Sequence, residues 1–137
     1  MKADFQTFAE DTHRCAMALL HNAAYILKEL PAIDLPGPLR SEVTRLCEVW
    51  VGIKHDLLGA LGDLAETLRK TPTEAEAIDR HCGTIQSILG EIFEPTGATV
   101  RAMVNASREN PAYSLASLLI VESAGNVLGS IPAALSR

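Results

Sequence analysis

Apolar residues recur at steps of three and four along most of the chain, and this spacing predicts α-helices. Residues 3–30 contain no proline or glycine. One face of this predicted helix carries Phe5, Phe8, Thr12, Cys15, Leu19, Asn22 and Ile26. Pro31 is predicted to end this helix, and the segment 31–38, with its three prolines and one glycine, is predicted to be a loop.

The second helix is predicted to run from Pro38 to near Lys70. Its seam is the most regular in the chain: Leu39, Val43, Leu46, Trp50, Ile53, Leu57, Ala60 and Leu64. A spacing near 3.5 is typical of a helix that packs against a near-antiparallel neighbour in a bundle.

A third helix is predicted after the segment Thr71-Pro72-Thr73-Glu74, which has the pattern of a capping box. Its stripe consists of Ala75, Ile78, Cys82, Ile85, Leu89 and Ile92. The segment Glu94-Pro95-Thr96-Gly97 is expected to break or kink it.

The last part of the chain contains a short segment, 98–109, and then a longer apolar one. Asn110 and Pro111 predict a helix N-cap followed by a first-turn proline, with the last helix running to about Leu135. The sequence therefore predicts an all-α fold: one domain over residues 1–137, an up-down helical bundle of four principal helices, the fourth kinked or split near Pro111.

The last helix is apolar on nearly all sides, because Glu122 is the only charged residue between Glu109 and Arg137. A helix of a four-helix bundle normally keeps one solvated face, so this helix is either internal to its own chain or covered by another subunit. We expect a two-fold homodimer, with Gly125 and Gly129 allowing close helix approach. The interface candidates are Leu118, Val121, Glu122, Gly125 and Gly129.

Composition narrows the function classes. The chain has 137 residues, is 47% hydrophobic and carries a formal net charge of −5, which favours a folded domain and disfavours nucleic acid as a partner. Three cysteines and an N-terminus without a signal-peptide pattern favour reduced thiols and a cytoplasmic location. Because Glu122, Asn126 and Pro132 interrupt the apolar segment 111–135, a buried helix of a soluble protein is expected there and no membrane span.

Metal and cofactor chemistry have little support in the sequence. Glu10 and His13 have the Glu-x-x-His spacing of di-iron bundles, but no other histidine has a glutamate three residues before it, so a surface pair is expected. The cysteines fall at different levels along the predicted helices, too far apart to share one zinc ion. We expect no metal and no cofactor.

His55 supports an alternative function. It lies on the predicted outward side of the second helix, with Gly59 one turn later, and the segment His55-Asp-Leu-Leu-Gly59 resembles histidine phosphotransfer domains. The resemblance implies a phosphoryl group carried on the His55 imidazole. The chain departs from that family at Leu58, where the family has a lysine.

The sequence thus predicts a self-associating helical bundle that acts through protein–protein interaction, in a regulatory or scaffolding role and without evident catalysis. The alternative is a phosphotransfer-like carrier that uses His55.

Overall fold

The computed structural model describes residues 2–132, with side chains from residue 5 onward. The regular elements of this part of the chain are all helices. In chain order the elements are α1 (Lys2–Glu29), a 3-10 turn (Leu30–Ala32), α2 (Gly37–Lys70), α3 (Ala75–Gly90), α4 (Phe93–Glu109), a second 3-10 turn (Pro111–Tyr113) and α5 (Ser114–Ser130). Four of these helices, α1, α2, α4 and α5, pack in a ring around the core, and α3 packs against α2. The predicted all-α bundle is confirmed.

The predicted apolar stripes form the core. In α2 every member of the seam from Val43 to Leu64 is buried, and in α1 the stripe is buried from Thr12 to Ile26 except at Asn22, which is half-buried. Trp50 is the largest fully buried side chain. Since burying one large apolar side chain stabilises a fold by about 1.5–3 kcal/mol, these seams are the main source of stability.

A buried hydrogen bond joins α2 to α4 at the centre of the bundle. The Trp50 indole N–H donates to the Thr96 hydroxyl over 2.9 Å. Thr96 is fully buried, although the sequence pattern around it predicts a helix break. An indole N–H without a partner would be costly in the core, so this bond explains why a threonine occupies the position.

The break expected at Glu94–Gly97 lies earlier in the chain. Glu91 and Ile92 form the turn, and Pro95 lies in the first turn of α4. The expectation was wrong because a proline in the first helical turn removes an N–H that has no helical acceptor there in any case.

The predicted capping box at Thr71 is also wrong. The Thr71 N–H donates to the Thr67 carbonyl and so ends α2, and α3 begins only at Ala75, without a side-chain cap. Local pattern alone did not distinguish a residue that ends one helix from a residue that begins the next.

The split at Pro111 is confirmed. Asn110 caps the 3-10 turn by accepting a hydrogen bond from the Ala112 N–H over 3.1 Å. The far end differs from the expectation of a helix to about Leu135, since α5 ends at Ser130 and Ile131 is extended. Pro132 explains this end, because a residue before proline is disfavoured in the α conformation. Residues 133–137 lie outside the described part of the chain.

The loop between α1 and α2 is fixed by Arg40. Its guanidinium donates to the Leu30 carbonyl over 2.8 Å and to the Ile33 carbonyl over 2.5 Å. These bonds hold the end of α1 and the residues after it in place beside the start of α5.

Candidate functional site

Helix α5 has one buried side and one exposed side, and both are apolar. The buried side packs against α1 and α4 and consists of Ala116, Ser117, Ile120, Ser123, Ala124 and Val127. The exposed residues of α5 are Ser114, Leu115, Leu118, Val121, Glu122, Gly125, Asn126, Leu128 and Gly129, and those other than Ser114 and Asn126 are here called the α5 face. All five interface candidates from the sequence therefore lie on this one face.

The α5 face exposes large apolar side chains. Leu115 is 69% exposed and Leu118 is 61% exposed, the highest fractions among the large hydrophobic residues of the described chain. The alternative of an internal helix wrapped by its own chain is therefore wrong: α1 and α4 cover one side of α5 and leave the other open.

Helix α1 extends the apolar surface to one side of α5. The two helices run antiparallel: Cys15 lies near Ser130 at one end of their contact, and the Asn126 amide donates to the Asn22 side-chain oxygen over 3.3 Å near its middle. Toward the other end lies an open groove of about 280 Å³. The groove is lined by Tyr25, Glu29, Ala32, Ile33, Leu115, Leu118, Leu119 and Glu122.

The two glycines of the α5 face border empty space. A Cβ atom built on Gly125 or Gly129 would meet nothing within 4 Å. No helix of the chain's described part therefore approaches them, and close packing within the molecule does not account for glycine at these positions. They leave a flat strip of backbone open to a partner.

The α5 face is almost free of charge. Glu122 is exposed and is the single charged residue between positions 110 and 132. On the α1 side, Glu29 lines the same groove. The described ion pairs, such as Lys70 with Glu66, lie within single helices and away from this face. The surface is therefore apolar at its centre and weakly acidic at its α1 edge.

The same region is the one segment of residues 2–132 that is long and apolar enough to cross a membrane. Pro111–Ser130 reaches a mean hydropathy of 1.2, and 33% of the window is buried. Length and composition alone do not distinguish a membrane span from a bundle helix, and the absence of a membrane partner stays a prediction.

Glu10 and His13 lie on the exposed surface of α1, as expected from their positions outside the core stripe. Glu10 accepts a hydrogen bond from the Gln6 amide over 3.2 Å. Both residues border a shallow depression between α1 and α2. Within the described residues, no three histidine, cysteine or acidic side chains come close enough to hold a metal ion.

The three cysteines are free and lie apart from the α5 face. Cys15 and Cys47 are buried, and Cys82 is half-buried. Burial, with a smaller contribution from nearby Glu48, raises the pKa of the Cys47 thiol to about 11. Burial also raises the pKa of Cys15, partly offset by a hydrogen bond with Ser130, and that of Cys82, where Asp79 adds to the effect.

His55 is exposed in the middle of α2, and a side chain at Gly59 would meet nothing within 4 Å. The imidazole is thus accessible, as a phosphotransfer residue must be. Its neighbour Asp56 is exposed as well and would oppose a phosphate. The phosphotransfer hypothesis stays a prediction, and the residues at the third and fourth positions after His55 supply no cation.

Comparison of the chain with protein-family models, curated protein sequences and solved structures gave no match. Function must therefore be argued from the surface of this molecule.

Proposed function

We propose that this protein is a self-associating interaction module, in which the α5 faces of two copies pack together. The observation that supports the proposal is the exposed apolar side of α5, in which Glu122 is the only charge. Monomeric proteins rarely expose contiguous apolar surface on this scale without using it for binding.

The leucines at the start of α5 supply the driving force. Leu115 and Leu118 are more than half exposed in the single chain. Covering such side chains contributes about 25 cal/mol per Å² of apolar surface. Association also costs several kcal/mol in lost translational and rotational freedom, so the leucines together, rather than any one contact, must offset it.

The size of the surface is suited to a small homodimer. The 17 residues of α5 span about 25 Å. The adjoining turns of α1 widen the surface. Because neighbouring helix axes lie about 8–10 Å apart, the two helices together present a surface roughly 20 Å wide. That gives roughly 500 Å² in projection, somewhat below the ~800 Å² per partner of a standard interface. We therefore expect a dimer that depends on concentration.

Charge and packing favour a second copy over a lipid bilayer. Helices that bind membrane surfaces usually carry Lys or Arg beside the apolar face, whereas positions 110–132 contain none. A membrane crossing would also detach Ile120 and Val127 from the core, where both are buried. A face that carries only one charged residue, Glu122, fits a partner with an equally apolar surface, and an identical copy provides one.

Sedimentation velocity over a micromolar concentration series tests the proposal. We expect a reversible monomer–dimer equilibrium in the wild type, and for Leu118→Gln a Kd raised roughly tenfold or more, because the lost apolar contact is worth more than 1.4 kcal/mol. Leu27→Gln is the matched control, since Leu27 is an exposed helical leucine of α1, 42% exposed and outside the groove. It should leave the equilibrium unchanged.

Two results would overturn the proposal. One is a wild type that stays monomeric over the whole series. The other is equal weakening by both leucine variants, which would indicate non-specific association. A monomer that co-sediments with phosphatidylcholine vesicles, and loses this binding in Leu118→Gln, would identify a lipid surface as the partner instead.

A further inference from the structure

The α5 face has a different composition at its two ends. Its N-terminal half carries the most exposed leucines, Leu115 and Leu118, and its C-terminal half carries Gly125 and Gly129, above which the space is empty. Glu122 lies between the two halves. Two strongly exposed leucines therefore project from the N-terminal half, while in the C-terminal half Leu128 is the one bulky side chain and the two glycines expose backbone beside it.

We infer that the two α5 helices of the dimer run antiparallel, so that the leucine end of each helix packs over the glycine end of the other. This inference rests on the proposed self-association through the α5 face. Interfaces require protrusions to meet depressions at nearly the packing density of a protein interior. An antiparallel two-fold pair satisfies this requirement twice, once at each end.

A parallel pair would fit poorly. Leu118 would meet Leu118 of the partner subunit, and the glycines would face each other across the space that the leucines hold open. Atoms that line such a void have no partner atoms on one side, so their dispersion contacts are lost. Val121 and Leu128 are also exposed on the α5 face but do not line the groove beside α1.

The antiparallel arrangement brings the two Glu122 carboxylates together. Glu122 lies near the midpoint of the face, so the two-fold axis places each carboxylate within about one helical turn of its copy. Glu29 lines the α1 edge next to it and adds further negative charge. The wild-type dimer is therefore weakened by repulsion between its protomers at this point.

Disulfide cross-linking distinguishes the two arrangements. In the antiparallel dimer, position 118 of one helix lies opposite positions 125–129 of the other, roughly 10–16 Å along the axis from its own copy. A disulfide requires Cα atoms within about 7 Å. In a Cys82→Ser background, we expect mild oxidation to cross-link a mixture of Leu118→Cys and Gly129→Cys as a heterodimer, whereas Leu118→Cys alone stays uncross-linked.

The control is Leu27→Cys in the same background, which reports random collisions and should give no product. Efficient cross-linking of Leu118→Cys with itself, without the mixed product, would establish a parallel pair and overturn the inference. Such a result would leave self-association through the α5 face intact.

Glu122→Gln tests the arrangement without any new thiol. The variant keeps the shape of the side chain and removes the charge. We expect its dimer Kd to fall roughly fivefold at low ionic strength, since two like charges a few ångströms apart near a surface repel by about 1 kcal/mol or more. An unchanged or higher Kd, with no mixed cross-link, would mean that the two carboxylates are apart and would overturn the antiparallel pair. Failure of the proposed function itself would be visible separately, as a wild type without a dimer.

Discussion

At the scale of single residues, polar side-chain atoms of the described chain are fully buried only where they form a hydrogen bond within it. Trp50 bonds to Thr96 across two helices, and the hydroxyl of buried Thr12 donates to the Phe8 carbonyl over 2.7 Å. In the described part of the chain, no buried side-chain nitrogen or oxygen lacks a hydrogen bond. The described interior therefore offers no unpaired polar side chain that would indicate a ligand site.

The cysteines should differ in reactivity in the native protein. The thiolate is the reactive form, so a raised pKa slows alkylation, and burial also blocks access. With iodoacetamide at mildly alkaline pH, we expect one label per chain, on half-buried Cys82, as determined by peptide mass spectrometry. The Cys47 rate should keep rising with pH toward its pKa of about 11, because the neutral thiol is the dominant form below that value.

The Cys82→Ser variant provides the control for this labelling. It should take up almost no label when folded and two labels in denaturant. Rapid labelling of Cys15 or Cys47 in the folded wild type would contradict the described packing of α1 and α2.

At the scale of helices, α5 contains two glycines where alanine would stabilise the helix. Gly125→Ala should raise the free energy of unfolding of the monomer by about 0.5–1 kcal/mol, because alanine loses less backbone entropy and the added Cβ meets nothing. The same methyl group stands where the partner helix would pack. We therefore expect the dimer Kd to rise about tenfold through overpacking. Urea denaturation and sedimentation measure the two effects separately.

Gly62→Ala is the matched control in α2. Gly62 is also exposed, and a Cβ there also meets nothing within 4 Å, but it lies away from the α5 face. It should stabilise the chain and leave the dimer unchanged. If Gly125→Ala behaved in the same way, Gly125 would have no role in close packing between protomers.

The helices also show what sequence pattern can predict. The seams of α1 and α2 could be read from the chain because a buried stripe repeats at the helical period over many turns. The predicted helix start at Thr71 and the predicted helix break around Pro95 were wrong, because a proline or a threonine can occupy several different positions near a helix end.

The candidate site was predictable to a similar extent. The sequence alone showed that α5 is apolar and nearly uncharged. It also led to the expectation that another subunit would cover one side of this helix. The groove residues Tyr25 and Glu29 were not predicted, because their position beside Leu118 depends on the axial register between α1 and α5. No local signal in the sequence specifies that register.

At the scale of the whole molecule, the α5 face is an apolar surface on a protein with a net negative charge. Each chain carries a formal net charge of −5, so two protomers repel each other over a distance of about one Debye length. The described residues place no cation on the α5 face that would form an ion pair across the interface. In the proposed dimer, the apolar contact would therefore provide the attraction, and the net charge of the two chains would oppose it.

This balance predicts the salt dependence of the dimer. Raising sodium chloride from about 0.05 to 0.5 M shortens the Debye length severalfold and should strengthen the dimer, because screening weakens the repulsion and leaves apolar burial almost unaffected. Sedimentation at each salt concentration measures the effect. Leu118→Gln should remain largely monomeric at the highest salt, which separates this response from general salting-out. A dimer that weakens with salt would require complementary charges at the interface, and the contact would then have to involve a different surface from the α5 face.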